Sequence, residues 1–275
     1  MSALGRLWRV CRGRQPPTRT ASAGRQAWQR CSTGWALCLF LAATATTATA
    51  QAQRLSGHHF MSPATQALQN DDAQNPAFLW VQDGQQRFQA TCSRCHSAAS
   101  LRGVAARYPA WDAQAGQPVT LSARIQLCQV LHVKAAPWAP ESEGLLALET
   151  FVAHQSRGQP VQPARDPRLQ PALTWGAQLY QQRAGQLDLS CAQCHDTLAG
   201  RRLGGSTIPQ AHPTGYPLYR LEWQAVGSLQ RRLRHCMSGV RAEPYAFASD
   251  ELTALELFLM NRAAGLPVET PAVRP

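Results

Sequence analysis

Two Cys-x-x-Cys-His pentapeptides constrain this 275-residue chain more than any other feature: Cys92-Ser-Arg-Cys95-His96 and Cys191-Ala-Gln-Cys194-His195. In this pattern two thiols add to the vinyl groups of a porphyrin and the adjoining imidazole becomes an axial iron ligand. The sequence therefore predicts two covalent haem c groups, attached through Cys92 and Cys95 and through Cys191 and Cys194, with His96 and His195 on the iron. A solitary cysteine follows each signal, at Cys128 and Cys236.

The first fifty residues differ from the rest. Seven arginines and no acid precede the apolar stretch Trp35–Ala43, and Ala48-Thr49-Ala50 forms a small-x-small site before Gln51. This is the plan of a secretory signal, with cleavage expected near Ala50 and a periplasmic product. A membrane anchor competes, but the unbroken apolar run is well short of the ~20 residues that span a bilayer. Removing the leader leaves 20 basic residues against 16 acidic ones, a net of +4 that gives no electrostatic footprint for nucleic acid. Three of the nine cysteines go with the leader. The remaining six could instead bind zinc or form disulfides, but neither role requires a histidine after both pairs.

The halves repeat beyond the signals. Arg124-Ile-Gln-Leu-Cys128 matches Arg232-Leu-Arg-His-Cys236, and the stretch from Ser142 to Val152 matches that from Asp250 to Leu259. The second of these carries Leu252, Leu255, Phe258 and Leu259 at helical spacing, with Ser249 as N-cap, acids in the first turn and Gly265-Leu-Pro267 as stop; the first copy has the same plan. A further helix is expected before each haem signal, over Ala77–Phe88 and Leu173–Gln182. The fold class predicted is mainly α: two tandem cytochrome c-like domains related by duplication, each around one covalent haem. The proline-rich stretch Ser156–Pro167 reads as the linker, giving domains over 51–163 and 164–275 after a signal peptide over 1–50. The segment from Gln51 to Asp72 is expected to be partly disordered or to wrap the first domain, and the tail from Leu266 to Pro275 to be extended.

Methionine, the usual distal ligand of electron-transfer cytochromes c, is scarce: the mature chain has Met61, Met237 and Met260. The distal candidates are Cys128, His132 and His154 in the first half and Cys236, Met237, His235 and Met260, the counterpart of His154, in the second. Only cysteine occupies the same place in both, with an arginine four residues earlier, so thiolate ligation at Cys128 and Cys236 is expected. Burial as core residues, or a Cys128–Cys236 disulfide, are the alternatives. A thiolate held deprotonated on iron is nucleophilic and oxidisable, suited to sulfur chemistry. Arg232 would lie one helical turn from Cys236, placed to bind an oxyanion, while the neighbouring Arg231, Arg234, Arg201 and Arg202 fit a solvated face or pairing with haem propionates.

At these residues the chain resembles the SoxA family of sulfur-oxidising cytochromes. The resemblance is carried by Arg232-Leu-Arg-His-Cys236-Met-Ser-Gly-Val-Arg-Ala-Glu243, Leu255-Glu-Leu-Phe-Leu-Met-Asn-Arg-Ala-Ala-Gly265 and Val268-Glu-Thr-Pro-Ala-Val-Arg274, with Ala105-Ala-Arg-Tyr-Pro-Ala110 and Ser156-Arg-Gly158 in the first half. Both signals are intact, as in the dihaem branch. The resemblance implies an L-cysteine S-thiosulfotransferase that joins thiosulfate to a cysteine of a SoxYZ-like carrier, with a SoxX-like monohaem cytochrome as partner in a heterodimer and no stable membrane insertion. It implies Cys236 as catalytic cysteine and distal ligand, commonly persulfidated, Arg232 as substrate-binding residue and Cys128 as ligand of the first haem. A dihaem electron carrier without chemistry of its own is the alternative function.

Overall fold

The computed structural model describes residues 53–275; the predicted signal over residues 1–50 lies outside the described residues. The core of each half is one crossed pair of helices. In the first half α2 (Phe78–Thr91) crosses α4 (Glu143–His154), after a short α1 (Pro63–Asn70) and with α3 (Leu121–Cys128) in between. In the second half α5 (Gln170–Gln181) crosses α7 (Asp250–Arg262), with α6 (Leu229–Gly239) in between.

A glycine sets each crossing. A Cβ on Gly84 would run into the Ala147 carbonyl, and one on Gly176 into the Ala254 carbonyl, so only glycine lets the backbones approach this closely. Beside each contact an aromatic pair closes the core: Phe88 with Phe151 and Tyr180 with Phe258, both with ring centroids 5.2 Å apart. Such pairs contribute about 0.5–1.5 kcal/mol beyond the area they bury.

The repeat continues through the segment ahead of each distal cysteine. Tyr108-Pro109 leads into β1 (Ala110–Asp112), which pairs antiparallel with β2 (Gln117–Val119). After the small hairpin β3 (Arg202–Leu203) and β4 (Ser206–Thr207), Tyr216-Pro217 leads in the same way into β5 (Leu218–Arg220), which pairs with β6 (Ala225–Gly227). Ala110 sits opposite Val119 and Leu218 opposite Gly227, so the two hairpins share one register. Each runs into a capped helix: the Thr120 hydroxyl accepts from Ala123 N–H and the Ser228 hydroxyl from Arg231 N–H, both at 3.1 Å.

The predicted helices form, ending within a few residues of their expected bounds. Ser249 caps α7 through Leu252 N–H at 3.3 Å. Its counterpart Ser142 departs from the expected plan: its hydroxyl is buried without a partner among the described residues, and α4 starts without a side-chain cap. The tail is extended, and its last residues form β7 (Ala272–Arg274), parallel to β5 and buried at Ala272 and Val273. The linker is zipped to that tail, with Val161 N–H bonded to the Leu266 carbonyl at 2.8 Å and Gly158 N–H to the Val268 carbonyl at 2.9 Å.

The segment before the first half runs against the second half, and Asp72 at its end pairs with Arg157 of the first at 2.7 Å. Leu55 bonds both Gln210 and His212, and the Gln69 side chain accepts from Val273 N–H in the tail. The reason lies in composition: the Gln51–Asp72 stretch offers polar side chains to a sheet edge that the tail would otherwise leave open. The two halves pack as one compact unit. Between them Glu149 and Glu256 border a shared cavity with Tyr108 and Tyr216. No helix among the described residues is long and apolar enough to cross a membrane.

Candidate functional site

The second haem signal is held rigidly. Ser190 and Gln193 cap each other across Cys191: Gln193 N–H donates to the Ser190 hydroxyl at 3.2 Å and Ser190 N–H to the Gln193 side-chain oxygen at 2.8 Å. Beyond the signal, Asp196 accepts from the Tyr180 hydroxyl at 2.9 Å and from Arg262 at 2.5 Å. Between these anchors His195 Nδ1 donates to the Pro209 carbonyl at 2.7 Å, which fixes the ring and leaves Nε2 as the free nitrogen.

His195 and Cys236 line one cavity of about 930 Å³ including its mouth, whose apolar walls include Leu218, Leu229, Leu233 and Leu259. Cys236 reaches it from α6, and Arg232, one turn earlier on the same helix, lines it too. Burial raises the Cys236 thiol, but the His195 imidazole beside it and the charges of Arg232 and Arg220 outweigh burial and hold it below the ordinary thiol value. Arg232 makes no side-chain hydrogen bond or ion pair among the described residues, so its guanidinium is free for a ligand.

The first half places the same residue types differently. Arg124 donates to Asp112 Oδ2 at 2.6 Å, and Cys128 sits half-buried behind it, near Cys92. Here burial wins: the Cys128 thiol is pushed up, with Arg124 opposing and the Asp112 carboxylate adding to the rise. Cys95 and His96 are exposed, and the His96 side chain makes no hydrogen bond among the described residues. Sequence and structure thus agree in bringing His195, Cys236 and Arg232 together, while no comparable contact joins His96 to Cys128.

The donor sets fit covalent haem c. All six described cysteines are free, so the disulfide alternatives do not form, and each signal offers two thiols and an imidazole. In the second half the oriented Nε2, the Cys236 sulfur in the same apolar-walled cavity and the arginines that line it are donors that fit an iron porphyrin with charged carboxylate arms.

Other candidates have separate roles. His154 lies edge-on to Phe78, with Nδ1 facing the Thr270 carbonyl at 3.4 Å, and His132 is exposed. Arg231 covers the Trp223 ring at 4.2 Å and Arg234 the Phe247 ring at 4.5 Å. Residues that sequence reasoning passed over also line the cavity: Met61 from the leading segment, Arg274 from the tail, and Tyr216 and Arg220 around β5. For Arg220 a signal was present, because the repeat offset of 108 puts it where the first half has Asp112.

Duplicated helix pairs crossing behind a Cys-x-x-Cys-His signal, each with a second potential axial ligand, define a two-domain c-type cytochrome. A family model described as the SoxA/TsdA cytochrome c domain matches residues 77–161 and 175–268, and the chain belongs to this family. It is 38% identical over 231 residues to the L-cysteine S-thiosulfotransferase subunit SoxA of Pseudaminobacter salicylatoxidans, covering 80% of each chain. It is 34% identical to the SoxA subunit of Rhodovulum sulfidophilum, covering 80% of this chain and 79% of that one. The fold superposes on the crystal structure of SoxXA from P. pantotrophus with a TM-score of 0.78 at 31% identity, covering 81% of this chain and 87% of that one.

Proposed function

We propose that this chain is the dihaem subunit of a periplasmic L-cysteine S-thiosulfotransferase. It takes a SoxX-like monohaem cytochrome as partner and a SoxYZ-like carrier as protein substrate, and the second half, residues 164–275, carries the chemistry. The observation that carries this reading is the meeting of His195, Cys236 and an unpaired Arg232 in one cavity.

Net, a thiosulfate dianion and a carrier thiol give an S–S-linked S-thiosulfonate, one proton and two electrons. Arg232 draws in the dianion and holds its oxygens with a planar fork, which leaves the outer sulfur directed at the Cys236 sulfur. Cys236, in the cavity that Arg232 and Arg220 also line, supplies the reacting sulfur beside which the carrier cysteine is presented. The leucine walls limit water at the forming S–S bond. Cys191 and Cys194 would attach a haem c and His195 and Cys236 would ligate its iron; when bound, that group supplies the electron sink.

A second haem c is proposed on Cys92 and Cys95, with His96 and Cys128 as ligands. Its cysteine faces an arginine already paired to Asp112, which fits electron passage without sulfur chemistry. The test follows thiosulfate-dependent cytochrome reduction by the complete complex with carrier present. Cys236→Ala is expected to lower turnover by at least about a thousandfold, and undiminished turnover would reject the assignment.

A further inference from the structure

Three arginines line the cavity around Cys236, and their partners differ. Arg274, on β7, is taken up by Glu269 and Gln69. Arg232 is without a partner among the described residues. Arg220, on β5, gives one nitrogen, Nη2, to Glu222 at 2.6 Å, while its Nε is buried and has no partner among the described residues. A buried N–H without an acceptor is costly, about 1–3 kcal/mol, unless something arrives to accept it.

The placement of Arg220 is fixed by the fold. Its strand lies between β6 and β7, so the backbone is bonded on both sides, with Arg220 opposite Ala225 and beside Arg274. Its guanidinium lies over the Trp223 ring at 5.1 Å, which holds the head group in place. A side chain supported in this way needs little reorganisation to meet a ligand.

The duplication shows what Arg220 replaces. The two hairpins share one register, and a constant offset of 108 relates Tyr108 to Tyr216, Asp112 to Arg220, Arg124 to Arg232 and Cys128 to Cys236. In the first half the acid neutralises the arginine beside the cysteine. In the second half the acid has become a second guanidinium, so two positive charges share the cavity and repel each other. Glu222 stands half-exposed outside them, where solvent weakens its compensation.

We infer that Arg220 is a second substrate-binding residue, which with Arg232 clamps the sulfonate oxygens of a dianionic thiosulfate, Arg232 from the α6 side and the Arg220 Nε–H from the β5 side. This rests on the function proposed above. The two-arginine clamp matches the charge of the dianion, and Asp112 in the equivalent place denies the first half any such site.

The experiment measures thiosulfate-dependent cytochrome reduction by the haem-loaded complex with its carrier, for wild type, Arg220→Gln, Arg220→Lys and Glu222→Gln. Arg220→Gln should raise KM for thiosulfate about ten- to a hundredfold while kcat changes less than about threefold, and Arg220→Lys should recover part of the loss. Glu222→Gln, a half-exposed change that does not threaten folding, should lower KM by freeing Arg220 of its competing carboxylate. An unchanged KM in Arg220→Gln overturns the inference. So does a shift in the haem absorption spectrum or potential with KM unmoved, which would mark Arg220 as a haem-carboxylate anchor. If Arg220→Gln does not fold, an unchanged or higher KM in Glu222→Gln overturns it alone. Absence of thiosulfate-dependent reduction in wild type would instead fail the proposed function, and the inference with it.

Discussion

Asp112 and Arg220 occupy the same position of a duplicated hairpin, 108 residues apart, and their opposite charges separate a closed site from an open one. Asp112 binds Arg124 at 2.6 Å and also accepts from the Ala115 and Gln114 backbone N–H groups at 2.8 and 2.9 Å. These bonds, the backbone ones first, hold its carboxyl below the ordinary carboxylate range. The stabilisation they give is therefore present above the unfolded value and is lost as pH falls through the folded one. Asp112→Ala is expected to lower the melting temperature at pH 7 and to lose most of that difference in strong acid. Its KM for thiosulfate should stay at the wild-type value, since the open site is in the other half; thermal melts and steady-state kinetics check both.

The glycines at the helix crossings give a stability prediction. Gly84→Ala and Gly176→Ala each push a methyl into a backbone carbonyl that neighbouring turns hold in place. Each should cost about 2–3 kcal/mol, measured by denaturant unfolding. Gly200→Ala, at a surface turn with φ of 84° and open space around it, should be the milder change, limited to backbone strain.

Glu149 and Glu256 predict how stability depends on pH. Burial is the main cause pushing each carboxyl up to about 8, with the Glu141 carboxylate adding to the rise at Glu149 and the Glu149 carboxylate adding to it at Glu256. The folded state keeps protons that the unfolded chain releases from about pH 4.5, so stability falls as pH rises through this window and levels off above about 8. Glu256→Gln should raise the melting temperature at pH 8 by at least about 3 °C and change it little at pH 5.

Much of this was legible in the sequence because duplication let each half check the other. The helix before each signal, the terminal helix with its Ser249 cap, and the matched Cys128 and Cys236 all rest on local periodicity or spacing. What was not legible depended on distant contacts. Gln51–Asp72 has weak periodicity, and nothing local shows that Leu55 and Gln69 bond to residues more than 150 positions away. The tail reads as extended, yet its pairing with β5 follows only from the folded sheet. Ser142 looks like a cap, but its hydroxyl turns inward. Arg220 was hidden by similarity itself: matching residues announce a repeat, whereas this position matters because it differs.

The proposed function gives each half one haem histidine and one cysteine as iron ligands, His96 with Cys128 and His195 with Cys236. Low-temperature electron paramagnetic resonance of the oxidised, haem-loaded protein tests it directly. The account predicts two low-spin signals of His/thiolate type, one lost in Cys128→Ala and the other in Cys236→Ala. His/Met or bis-His signals that survive both substitutions would contradict it.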